Sequence, residues 1–285
     1  MNKLSIKLIV NCSLLLFTVN SFSQNIPLKN ENTRKGKLYF YWGWNGASYS
    51  KSTIKFEGDE YNFELKDVVG KDRQTKFSVG KYFNPGSITI PQYNFRIGYY
   101  FKDNWDISFG IDHMKYVVQQ NQRVKIAGAI NGTETIYDGV YSNDDITIQE
   151  GFLEFEHTDG LNFVNFEIRR SDQILNLNKV SLNLTGGLGA GILYPKTNAT
   201  LINKPRYDDF HVSGFGIDAI VGLNVTFFKR FFVQTEFKSG YINMPSIRTT
   251  LSSADKASQS FFFFQRNIVF GGIFNLTKAS KIKKK

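Results

Sequence analysis

Cysteine is almost missing from this sequence: one residue, Cys12, in 285. A disulfide framework needs pairs and a thiolate metal cluster needs several ligands, so both are excluded. Proline is scarce, at six residues, and histidine scarcer, at three. Imidazole chemistry is therefore confined to His113, His157 and His211. Beyond the N-terminus no apolar run reaches the ~18 residues a transmembrane helix requires. Aromatic residues are plentiful by contrast, with 27 Phe and 14 Tyr, 15% of the chain counting Trp. A chain rich in aromatics and poor in proline has the makings of sheet rather than of coil.

The N-terminus stands apart. Lys3 and Lys7 lead into an apolar stretch over 8–19, and Ser21 and Ser23 put small residues before Gln24. That is the layout of a secretory signal peptide, residues 1–23, cleaved after Ser23. Cys12 would leave with it, and a thiol-free mature chain suits an oxidising envelope. The formal charge is +10, yet Lys3 and Lys7 belong to the signal and five lysines crowd the last eight residues. The charge is thus in part a tail effect, with 24–276 as the folded domain and 277–285 as a basic tail. Nucleic-acid binding calls for a basic face with stacking aromatics. Here the aromatics recur at strand spacing, and no nucleic-acid partner is expected.

Eight segments alternate apolar and polar with a period of two, the mark of a strand with one apolar face. They are 36–45, 91–101, 105–117, 161–170, 179–193, 212–227, 230–242 and 261–276. In the second, Phe95, Ile97, Tyr99 and Phe101 alternate with Asn94, Arg96, Gly98 and Tyr100. In the sixth, Phe215, Ile217, Ala219, Val221 and Leu223 alternate with glycines, Asp218 and Asn224. The connections alternate as well. Links at 102–104, 171–178 and around Lys229 are short, whereas 46–90, 118–160, 194–211 and 243–260 are long. Tight periplasmic turns and long external loops are the pattern of a membrane barrel.

The polar face strengthens that reading. A soluble sandwich would expose Lys, Glu and Thr; this face carries Gly, Asn, Ser and charges of both signs. Small and paired polar groups suit the narrow lumen of an eight-stranded barrel, which side chains just fill. Arg96, Asp106, Asp112, Glu167, Arg169, Asp218, Glu236 and Lys238 fall on it and are expected to pair as a lumen network. Aromatics near strand ends, including Trp42, Trp44, Tyr99, Phe101, Trp105, Tyr194, Phe228, Phe231 and Tyr241, suit interfacial girdles. The expected fold is all-β: an antiparallel transmembrane β-barrel of eight strands in the outer membrane. Ten strands would follow if hairpins in the first two long connections joined the ring. Lys51, Lys55, Glu57, Glu60, Glu64 and Lys66 would be costly against lipid, so those hairpins are expected to prolong the barrel above the membrane. Asn131-Gly132 marks a turn within the second of them.

The stretches YWGWNGASYS, IPQYNFRIGYYFKDNWDISFGIDHMKY and EHTDGLNFVN resemble motifs of a family of small outer-membrane β-barrel proteins from Bacteroidetes-type bacteria. The resemblance covers most of the mature chain. It implies architecture and location and brings no activity with it. One feature departs from the usual barrel, which ends at an aromatic residue: Phe274 is followed by 275–285.

Candidate chemistry is sparse. His113, on the outward phase, and Asp112, His157 and Asp159 could gather at the outer rim as a base with an orienting carboxylate, or as metal ligands. Turn chemistry around Thr158-Asp159-Gly160 is the plainer reading. His211 and Ser213, with Ser213 on the outward phase, resemble the His-x-Ser-Asn stretch of outer-membrane lipid A deacylases, but Gly214 stands where that family has Asn. The glycines of 186–191 alternate as a strand and lack the Lys-Ser/Thr of a phosphate loop. The expected function is that of a non-enzymatic structural or binding barrel acting through its extracellular loops. The alternative is an acyl hydrolase of lipid A or phospholipid. A monomer in contact with outer-membrane lipid and lipopolysaccharide is expected, with a possible extracellular ligand at the loops and neither metal nor cofactor.

Overall fold

The structure is a computed structural model that describes residues 33–276. The expected signal peptide, 1–23, and the expected basic tail, 277–285, lie outside the described residues. Strands β1 (Lys37–Tyr49), β2 (Ser52–Gly58), β3 (Tyr61–Val68) and β4 (Gly70–Lys71) come first, followed by one helical turn, α1 (Val79–Tyr82). Next come β5 (Tyr93–Lys102), β6 (Trp105–Val118), β7 (Gln122–Ile130), β8 (Gly139–Ile148) and β9 (Leu153–Leu177). The chain ends with β10 (Val180–Leu193), β11 (Lys196–Leu201), β12 (Tyr207–Phe210), β13 (Gly214–Phe227), β14 (Phe231–Arg248) and β15 (Lys256–Asn275).

Eight of these close a ring in the order β1-β5-β6-β9-β10-β13-β14-β15, with β15 returning to β1. Every pairing in the ring is antiparallel. The closing seam runs from Lys37 opposite Asn275 to Tyr49 opposite Phe263. Gly43 permits it: a Cβ there would lie 2.0 Å from the Ile268 carbonyl oxygen. Closure leaves no unpaired edge in the ring, the condition for spanning a bilayer with strands.

Short turns gather at one end. Asp103-Asn104, Asn178-Lys179 and 228–230 join consecutive ring strands there, and Asp103 accepts hydrogen bonds from the backbone of Arg34 and Lys35. The expected link over 171–178 is itself strand, because β9 runs on to Leu177 and turns only at Asn178-Lys179. Asn178 takes a left-handed backbone (φ 61°), a conformation Asn tolerates well.

The outer wall between these ends is apolar on every ring strand. Phe40, Ile97, Ile107, Phe166, Leu188, Ile217, Phe237 and Phe270 all point out and stand exposed. A continuous band of this kind is far larger than the few hundred Å² of exposed apolar patch on soluble proteins. It is the lipid-facing band of a transmembrane barrel.

At the other end the strands outgrow the membrane and form a dome. β2 pairs with the start of β15, then β3, β7 and β8 follow outward in turn. β11 pairs with the start of β9 and carries β12. The two hairpins thus stay outside the ring. Asn131-Gly132 is not a two-residue turn, because the loop runs over 131–138, held by Asp138 accepting from Thr133 and Glu134. The dome surrounds an apolar core that includes Ile54, Phe56, Phe63, Leu65, Ile126 and Phe155. Phe56 stacks on Phe63 with ring centres 5.2 Å apart. The ring interior is therefore not polar throughout. Inward residues change from Arg96, Asp112 and Lys238 at membrane level to Met114, Tyr116, Phe261 and Phe263 above it.

One connection folds outward instead. Residues 72–92 lie against the outer wall, where Trp44 packs edge-on to Phe83 at 5.2 Å and tilts against Tyr82 at 5.5 Å. Lys115 ties the segment down by donating to the Ile90 carbonyl at 2.9 Å.

Candidate functional site

The lumen at membrane level is filled by one bonded network. Glu167 lies at its centre and takes Arg96 Nη2 at 2.5 Å, Arg169 Nε at 2.5 Å and Lys238 Nζ at 2.7 Å. Lys238 also reaches Asp112 at 2.5 Å, and Asn165 donates to the same carboxylate at 2.9 Å. Arg169 Nη1 meets Glu236 at 2.6 Å. Tyr41 binds the two arginines together: its hydroxyl accepts from Arg96 Nε at 3.1 Å and from Arg169 Nη2 at 2.9 Å. Tyr39 donates to Asp106 at 2.7 Å.

Each of the eight lumen residues read from the sequence lies on this inner face, but they are not joined equally. Asp218 is buried, yet neither of its carboxylate oxygens has a hydrogen-bond partner among the described residues. The cluster sets three cations, Arg96, Arg169 and Lys238, against five carboxylates. Tyr41, Asn94, Asn165 and Gln234 complete the network and were not singled out as site residues, although their place in the alternation assigns them to the same face.

The packing leaves no wide path. Arg96, Arg169, Lys238 and Tyr41 are fully buried. The cavity below them, bounded by Tyr39, Asp106, Arg169 and Gln234, measures about 10 Å³, enough for about one water molecule. Above them the apolar dome core takes over.

The rim residues do not assemble. Asp112 is in the lumen beneath Lys238. His113 keeps the outward phase but is covered: its ring stacks on Tyr93 at 4.9 Å and its Nδ1 bonds Asn162 at 2.8 Å. His157 is buried in the dome core, with Nδ1 on Thr197 at 3.0 Å and Phe155 against its ring at 5.1 Å. Burial there, above the membrane, pushes the His157 pKa down to about 3, so the imidazole is neutral. Asp159 is outside, 3.4 Å from Lys196. The four residues form no base–carboxylate pair, and among the described residues no three His, Cys, Asp or Glu converge as a metal requires.

His211 and Ser213 likewise form no dyad. The strand begins at Gly214 rather than at 212, so Ser213 leaves the outward phase and is buried. Its hydroxyl donates to the His211 backbone carbonyl at 3.4 Å, not to the imidazole. Glu236, the carboxylate that would complete a triad, is held by Arg169 in the lumen. A nucleophile needs base and orienting group within hydrogen-bond reach, and here neither is.

No protein-family model matches the sequence, and no curated protein matches it as a relative. Solved structures with a similar course of chain are membrane barrels. The outer membrane protein OprG from Pseudomonas aeruginosa is 12% identical with a TM-score of 0.44, over 86% of this chain and 98% of that one. The outer membrane protein AlkL, solved in lipid bilayers, is 11% identical with a TM-score of 0.40, over 91% and 100%. Ail, the attachment invasion locus protein of Yersinia pestis, is 10% identical with a TM-score of 0.27, over 83% and 99%. The chain is an eight-stranded antiparallel transmembrane β-barrel in its own right, by its closed ring and lipid-facing band.

Proposed function

We propose that this protein is a non-enzymatic barrel of the bacterial outer membrane that works through its extracellular dome and rim. The observation that carries the reading is the filled lumen, in which fully buried ion pairs are capped by an apolar core. A solute would have to break several buried charge contacts and then open the core, at a cost of several kcal/mol for each pair. The short turns face the periplasm and the dome faces the exterior, as barrel assembly demands. The closed ring offers no free strand edge within the membrane, which supports a monomer embedded in outer-membrane lipid and lipopolysaccharide. The dispersal of His211, Ser213 and Glu236 supports a binding role over acyl hydrolysis.

Two measurements on the refolded protein test this. In planar bilayers it is expected to give no stable channel. In mixed micelles it is expected to release no fatty acid from phospholipid or lipid A. Large, long-lived conductance steps, or acyl release that a His211→Ala change abolishes, would overturn the reading.

A further inference from the structure

The segment over 72–92 and the wall beneath it enclose a cleft of about 280 Å³ on the outside of the barrel, lined among others by Trp44, Gln74, Phe77, Tyr82, Arg266 and Ile268. Its position is unusual for a polar feature. Arg266 is on the outward row of β15, two places from the exposed Phe264 and two from Ile268. A guanidinium at the edge of a lipid-facing band is costly unless something answers its charge. No carboxylate or hydroxyl among the described residues pairs with Arg266.

Two further observations point to the same kind of partner. Trp44 lines the same cleft, and its indole Nε1 is buried with no acceptor among the described residues. Two donors thus await an oxygen-rich group. Also, residues 73–92 contain Lys76 and Lys81, besides Arg73 that pairs with Glu156 at 2.9 Å, and neither Asp nor Glu. The same segment presents Phe77, Val79, Phe83 and Ile90 to the outside, each about half exposed or more. Cationic residues interleaved with exposed apolar ones characterise elements that lie in the headgroup region of a bilayer.

We propose that this cleft binds the anionic phosphate headgroup of an outer-leaflet lipid, with Arg266 and Trp44 Nε1 donating to phosphate oxygens and the acyl chains running down the wall past Ile268 and Phe270. The nearest acid, Asp72, lies at the edge of the cleft beside Gln74 and Gln92, where it accepts from the Ala47 backbone at 2.8 Å and forms no ion pair with Arg266. The proposal rests on the membrane reading above, and its test separates the two.

Trp42 and Trp105 are replaced by Phe, leaving Trp44 as the single fluorophore, and the folded protein is placed in phosphatidylcholine vesicles. A minor fraction of the lipid is then brominated, either as phosphatidylcholine or as phosphatidic acid. Brominated phosphatidic acid is expected to quench Trp44 as if enriched about tenfold at the site, which is the worth of one charge-assisted contact. Arg266→Gln should reduce that excess to the phosphatidylcholine level, and Phe77→Ser, on the overlying segment, should weaken it. Millimolar inorganic phosphate should not compete; full competition would show a free-anion site and overturn the lipid assignment. Equal quenching by the two lipids, or an excess that survives Arg266→Gln, would overturn the site while leaving the membrane reading intact. Absence of quenching by either lipid would overturn both.

Discussion

Lys238 offers the most direct test of the lumen network. Its ammonium is fully buried and is held between Asp112 and Glu167. Replacing it with Met keeps the length and removes the charge. Asp112 would retain Asn94 and Asn165 as donors but lose the one cation that pairs with it among the described residues. Glu167 would keep both arginines. The cluster, already at three cations against five carboxylates, would fall to two against five. Removing one partner of a buried pair costs about 3–5 kcal/mol, because it strands the other charge. Removing both partners costs far less, so Lys238→Met with Asp112→Asn should recover most of the loss, leaving about 1 kcal/mol. The assay is urea unfolding in detergent micelles, followed by the fluorescence of Trp42, Trp44 and Trp105 and by the heat-sensitive gel shift of a folded barrel. A single variant within about 0.5 kcal/mol of the parent would refute the network as a structural element, and so would a double variant no more stable than the single one.

Other positions give sharper contrasts. Asp218→Asn removes a buried carboxylate that no donor satisfies, so the variant should match or exceed parental stability by about 1 kcal/mol; a loss above that size would show that its charge is needed. His157 is held neutral with a pKa near 3 against about 6.5 in an unfolded chain, so its contribution is complete above pH 6.5 and shrinks as pH falls toward 3. By pH 5 the dome should lose about 2 kcal/mol, seen as faster amide exchange in β9 and β11, and His157→Leu should flatten that dependence. Gly43→Val would drive its side chain into the Ile268 carbonyl at the closing seam, and the protein should fail to give the heat-sensitive band while Gly80→Val, in open space, should fold normally.

The ring was legible because lipid and lumen impose opposite demands on alternate residues. Phe95 to Phe101 and Phe215 to Leu223 carry that period without a break. The dome was less so, because its inward residues are apolar in the phase that is charged below. The trace it leaves is a short stretch apolar on both faces. Phe262 and Phe264 point out while Phe261 and Phe263 enter the core, and the run of four phenylalanines announces the change. His157 sits at this changeover, and its proximity in sequence to Asp159 misleads: two places apart, they would share a face in a regular strand, but the register shift between Met114 and Tyr116 falls opposite this stretch and leaves His157 in the core and Asp159 on the surface. The cleft over 72–92 had no period to show. Its signal was compositional, a basic and aromatic stretch over 73–92 without an acid.

The same alternation explains why the costly ion network is at membrane level at all. A strand whose outer face must be apolar could be made more stable by an apolar inner face as well. Such strands would be runs of ten or more apolar residues, and a hairpin of two would approach the ~20 residues that insert as a helix. The chain would then be stopped in the first membrane it meets. Arg96, Asp106, Glu167, Asp218, Glu236 and Lys238 break such runs in β5, β6, β9, β13 and β14 while the chain is still unfolded. Their desolvation is then offset within the closed ring by each other, through contacts of 2.5–2.7 Å centred on Glu167. Above the membrane the constraint reverses: the outer face of β2 and β3 meets water through Lys55, Glu57, Glu64 and Lys66, and the inner face is free to be apolar. The charged lumen and the greasy dome are thus two answers to one requirement, that no strand be apolar on both faces for long. That requirement acts on the chain in transit and needs no flow through the lumen to account for the charges there.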